Sequence, residues 1–90
     1  MVELRAVIHG RVQGVSFRAY IQDAATELGL VGIVQNKTDG TVRVVAQGMP
    51  EDLKTFVEYL HEGSLLAVVE GVAVEWGNVN KTFTDFSVLH

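Results

Sequence analysis

VELRAVIHGRVQGVSFRAYIQDAATELGL, residues 2–30, changes its apolar period partway along, and that change decides the fold. Over residues 2 to 9 the alternation puts Val2, Leu4, Ala6 and Ile8 on one face of a strand. From Phe17 onward, Ile21, Ala24 and Leu28 recur at helical spacing, with Ser16 placed as N-cap and Gly29 where a left-handed C-cap belongs. Between the two periods lies GRVQGVSFR, Gly10 to Arg18. A glycine-containing loop entering the first turn of a helix presents unpaired backbone N–H groups and the positive end of the helix dipole, a ready site for a phosphate or a carboxylate.

Arg18 falls in that first turn, where the dipole disfavours a cation by about 0.3 to 1 kcal/mol. Two readings stand on these residue types alone. Arg18 and the loop amides share one bound anion, the guanidinium reaching two of its oxygens, or Arg18 is a solvated surface residue.

Working outward, residues 30 to 36 (LVGIVQN) read as a second strand and residues 41 to 47 (TVRVVAQ) as a third, with Val42, Val44 and Ala46 on one face and Thr41, Arg43 and Gln47 on the other. Asp39-Gly40 between them is a hairpin signal. Pro50, Glu51 and Asp52 open a second helix, whose Leu53, Phe56, Val57 and Leu60 form a core-facing stripe and which Gly63 ends. Ala67–Trp76 reads as the fourth strand and Phe83–Leu89 as a shorter fifth. Strand, helix, strand, strand, helix, strand is the α+β, ferredoxin-like split βαββαβ sandwich, an antiparallel sheet with two helices on one face, here with a short C-terminal strand added. A single domain over residues 1–90 is expected.

Composition narrows the classes of function. The chain has 90 residues, 48% of them hydrophobic, which is enough for one core. A net charge of −4 argues against a surface that holds nucleic acid, and the first and third strands lack the stacking aromatics of an RNA-binding sheet. An anionic ligand therefore needs a locally positive site, which Arg11 and Arg18 flanking the loop can supply. There is no cysteine, so disulfides and thiolate chemistry are excluded. No window has the apolar length of a membrane span and MVELRAV lacks the regions of a secretory signal, so a cytoplasmic location is expected. His9, His61 and His90 are scattered without metal-ligand spacing, and no metal or cofactor is expected. His9 reads as an outward-facing strand residue beside the loop, or as a base.

Gly10, Val12, Gln13, Gly14, Val15, Phe17 and Arg18 resemble the G-x-V-Q-G-V-x-F-R signature of the acylphosphatases, small hydrolases of acyl phosphates. Leu28, Gly29 and Leu30, followed by Asn36, Asp39 and Gly40, fall in the order and spacing of that family's second motif. The resemblance extends over about residues 4 to 88. It departs from the family pattern at Ile33, Val34 and Gln35, where Trp-Val-Arg is common, and after the second helix, where Gly-Pro is common and Gly63 is here followed by Ser64, Leu65 and Leu66.

The resemblance implies that the backbone of Arg11, Val12, Gln13, Gly14, Val15, Ser16 and Phe17 and the side chain of Arg18 bind the phosphoryl group, with Arg18 and Asn36 as the catalytic pair. Asn36 would orient the attacking water; without the first motif, it reads as a turn former. The leaving carboxylate has a conjugate acid of pKa about 4, so it departs at neutral pH without a general acid. Positioning and charge neutralisation then suffice. The expected partner is a small-molecule acyl phosphate, bound by a monomer. The alternative is a non-catalytic module that binds an anion or carbamoyl phosphate, since acylphosphatase-like modules occur at the start of hydrogenase-maturation carbamoyltransferases. A chain running from Met1 to just past the fifth strand is expected to be the stand-alone enzyme.

Overall fold

The computed structural model describes residues Met1–His90. Strand β1 (Val2–Arg11), helix α1 (Phe17–Glu27), strands β2 (Val31–Asn36) and β3 (Val42–Gly48), helix α2 (Pro50–Glu62) and strands β4 (Val68–Gly77) and β5 (Phe86–Leu89) follow in that order. The five strands form one sheet in the order β4-β1-β3-β2-β5. β3 separates β1 from β2 and pairs antiparallel with both, and β4 runs antiparallel to β1, which is the ferredoxin-like arrangement. β5 departs from an all-antiparallel sheet: it adds to β2 in parallel, Gly32 opposite Phe86 and Gln35 opposite Leu89. β1, β2 and β5 therefore run the same way and end at the same edge of the molecule. No helix is long and apolar enough to cross a membrane.

The alternation read from β1 holds. Leu4, Ala6 and Ile8 are buried against Val42, Val44 and Ala46 of β3 and against Leu53, Phe56 and Leu60 of α2. Each fully buried large apolar side chain contributes about 1.5 to 3 kcal/mol, so this shared layer is the main source of cohesion. Phe17 and Ile21 bring α1 to the same core, and Phe17 stacks on Tyr20 with ring centroids 6.0 Å apart. Gly29 closes α1 through a paired motif in which Gly29 N–H donates to Thr26 O and Leu30 N–H to Ala25 O.

Three local features differ from the sequence reading. β1 extends beyond His9 to Arg11 because β4 follows it across a bulge, pairing Gly10 with Val69 and Arg11 with Val68. Gly10 is needed there, since its φ is 131° and a Cβ would lie 2.1 Å from the Val68 carbonyl oxygen. The fifth strand starts at Phe86 rather than Phe83, because Phe83 N–H is taken by the Gln47 side chain at 3.1 Å. Ser16 occupies the N-cap position of α1 but caps nothing with its hydroxyl. Its backbone is left-handed, φ 59° and ψ 24°.

Candidate active site

The loop between β1 and α1 is anchored by side chains that turn away from it. Val12 and Phe17 are buried in the core, Val15 O accepts from Ser64 Oγ at 3.2 Å, and the Gln13 amide reaches the β2–β3 hairpin. With the side chains so engaged, the main chain is left uncovered. No backbone N–H from Val12 to Ala19 donates to a protein acceptor, and the first to do so is Tyr20 N–H, to Ser16 O at 3.1 Å. Unpaired amides are expected in a first helical turn, but here they continue back through the loop. Gly14 at φ 72° and Ser16 at φ 59° supply left-handed turns in that run. Alternating right- and left-handed residues direct successive amides toward one side, forming a concavity suited to an anion.

That loop borders a cleft of about 550 Å³ lined by Val12, Gly14, Ser16, Phe17, Arg18, Ala19, Gln22, Asn36, Val88 and His90. No Asp or Glu side chain lines it, although acidic residues outnumber basic ones 11 to 7 in the chain. Arg18 Nη1 donates to Leu89 O at 3.2 Å, so the guanidinium is steadied by β5 while most of its donors stay uncommitted. This contact offsets part of the penalty that the helix dipole sets on a cation in the first turn of α1.

Asn36 is the last residue of β2, opposite Val42. Its Oδ1 is buried and accepts no hydrogen bond. No hydrogen bond from this side chain shapes the turn that follows. The turn itself is made by its neighbours. Asp39 Oδ1 accepts from Thr41 Oγ1 at 2.6 Å and from Thr41 N–H at 3.0 Å, and these bonds hold the Asp39 carboxyl below the usual range. Because β3 lies between β1 and β2, the strand ends that carry the loop and Asn36 are two ladder steps, about 10 Å, apart.

Of the residues singled out from the sequence, Val12, Gly14, Ser16, Phe17, Arg18 and Asn36 share the cleft. Arg11 belongs to β1 and is exposed outside it, and the Gln13 and Val15 side chains point elsewhere. Ala19, Gln22, Val88 and His90 complete the lining and are not among the residues the sequence points to. Gln22 stands one helical turn beyond Arg18, a spacing that was available to find it. Val88 and His90 carry no local signal, since the parallel pairing of β5 alone brings them there. No group of three His, Asp or Glu side chains is close enough to hold a metal.

The sheet order and the cleft together define a ferredoxin-like protein with a main-chain loop, a guanidinium and a carboxamide grouped at one edge. The sequence profile of the acylphosphatase family matches residues 4–88. The acylphosphatase of Thermus thermophilus is 51% identical over 77 residues, 86% of this chain and 88% of that protein. The crystal structure of acylphosphatase from Bacillus subtilis superposes with a TM-score of 0.97 at 34% identity, covering 100% of both chains. Full-length HypF, in its phosphate- and nucleotide-bound form, contains a region that matches all of this chain with a TM-score of 0.88 at 28% identity, 12% of that chain. The chain belongs to the acylphosphatase family, and membership supports acylphosphatase-type hydrolysis as its chemistry.

Proposed function

We propose that this chain, as one domain over residues 1–90, hydrolyses acyl phosphates to a carboxylate and inorganic phosphate. The amides of Val12 to Phe17 hold the phosphoryl oxygens, and Arg18 adds a forked contact to two of them. The Asn36 carboxamide, which lines the same cleft, hydrogen-bonds the attacking water and holds the water's lone pair toward phosphorus, in line with the departing carboxylate. The acyl carboxylate leaves as the anion, so no side chain needs to donate a proton to it. We read the enzyme as a monomer of the cytoplasm acting on a free small molecule.

Asn36, lining the same cleft as Arg18 with a carboxamide oxygen that no protein donor claims, carries this reading. Arg18→Ala is expected to raise the inhibition constant of inorganic phosphate by about ten- to a hundredfold, the worth of a charged hydrogen bond. Asn36→Ala is expected to lower kcat on benzoyl phosphate by roughly a hundredfold while leaving phosphate inhibition nearly unchanged. Wild-type turnover in Asn36→Ala would refute the water-orienting role. The match to a region of phosphate-bound HypF favours a second reading, a module that holds phosphate or carbamoyl phosphate without free turnover. Benzoyl phosphate that released phosphate no faster with the protein than without it would select that reading.

A further inference from the structure

We propose that Gln13 is a positioning residue that sets the separation between the loop and Asn36. This rests on the reading of the loop as the phosphoryl cradle and of Asn36 as the water-orienting group. Gln13 does not line the cleft. Its Nε2 donates to Lys37 O at 2.7 Å and to Thr41 O at 2.8 Å, so both amide hydrogens are used. Lys37 and Thr41 close the hairpin beyond β2 and β3, Lys37 N–H donating to Thr41 O at 2.9 Å. They are the chain neighbours of Asn36 and of its strand partner Val42. One carboxamide therefore grips both sides of the hairpin directly beside Asn36.

At its other end Gln13 is fixed by the buried Val12 and by Gly14 in a left-handed turn. No other hydrogen bond joins residues 12–16 to residues 36–41. The two halves of the site come from opposite sides of β3, and in-line attack tolerates little error in their spacing. Gln13 supplies a direct polar tie across that gap. Phosphate affinity depends on the loop and Arg18 within one half, whereas turnover depends on both halves in register. Loss of the tie is therefore felt in kcat and not in phosphate binding.

The test is a double-mutant cycle on the full chain with benzoyl phosphate as substrate and inorganic phosphate as inhibitor. Gln13→Met keeps the side chain's length and removes both donors. It is expected to lower kcat by about ten- to a hundredfold while the phosphate inhibition constant stays within about threefold. In an Asn36→Ala background the same change should lower the residual turnover by less than about twofold, because the residue it positions is gone. The Asn36 side-chain amide resonances should shift in Gln13→Met. If that variant does not fold, Gln13→Asn, one methylene too short to reach the hairpin, should give the same split. Equal losses in both backgrounds, or wild-type kcat in the Gln13 variant, would overturn the inference and leave the Asn36 role standing. Wild-type turnover in Asn36→Ala alone would overturn that role and this inference with it.

Discussion

Ser16 places a non-glycine residue at positive φ in the loop that enters α1. A serine before a helical period predicts a hydroxyl cap, yet the structure gives Ser16 a left-handed backbone and no side-chain bond. The left-handed region costs a non-glycine residue about 1 to 2 kcal/mol, and a β-branched one more. Ser16→Gly removes that cost but adds about 0.5 to 1 kcal/mol of chain entropy to the unfolded state, so its unfolding free energy should stay within about 1 kcal/mol of wild type. Ser16→Val should lose roughly 1 to 3 kcal/mol, with the difference read from urea titrations. A hydroxyl that capped the helix would reverse part of this order, because glycine would forfeit a bond. The distinction is invisible in sequence: the preference for serine at this position reflects extended capping residues, while the amide run here needs the opposite backbone sign.

At the scale of elements, α1 and β5 complete the cleft together. Arg18 and Gln22, one turn apart, hold the carbonyls of Leu89 and Phe86 at 3.2 and 3.0 Å. Phe86 plugs the far end of the short strand into the core, 6% exposed and edge-on to Phe56 with centroids 6.1 Å apart. Phe86→Ala is expected to cost about 3 to 5 kcal/mol, measured by denaturant unfolding, because an aromatic cavity opens beneath an edge strand. Gln22→Met should spare most of that stability. Its mark is faster amide hydrogen exchange in Ser87 to Leu89 with β1 unchanged, since one of the two hydrogen bonds from α1 to β5 is lost. Unaltered exchange in β5 would mean that its ladder to β2 holds it unaided.

Across the whole molecule, the sheet face away from the helices carries a buried polar junction that fastens the segment leading to β5. Gln47 is fully buried; its amide donates to Glu3 Oε1 at 3.0 Å and to Lys81 O, and its oxygen accepts from Phe83 N–H. Arg5 Nε donates to Glu3 Oε2 at 2.8 Å. The Gln47 hydrogen bond, and after it the contact with Arg5, holds the Glu3 carboxyl below its usual range, outweighing burial, which acts the other way. A carboxylate so depressed contributes stability above its unfolded pKa of about 4.3 and loses it as pH falls through the lower folded value. The wild type should therefore lose more denaturant resistance than Glu3→Gln between about pH 5 and pH 3, and a parallel decline in the two would exclude this junction as the cause. The sequence by itself determined the element order, the inward residues of β1, β3 and α2, and the loop and asparagine motifs, because each is written in spacing between near neighbours. Only the tertiary structure decided that Gln47 is buried, that β5 joins β2 in parallel and brings Val88 and His90 to the cleft, and that the Gln13 side chain grips the hairpin instead of facing the cleft. Those facts depend on which surfaces meet across a sheet, and contacts between residues far apart in the chain leave no periodic trace in it.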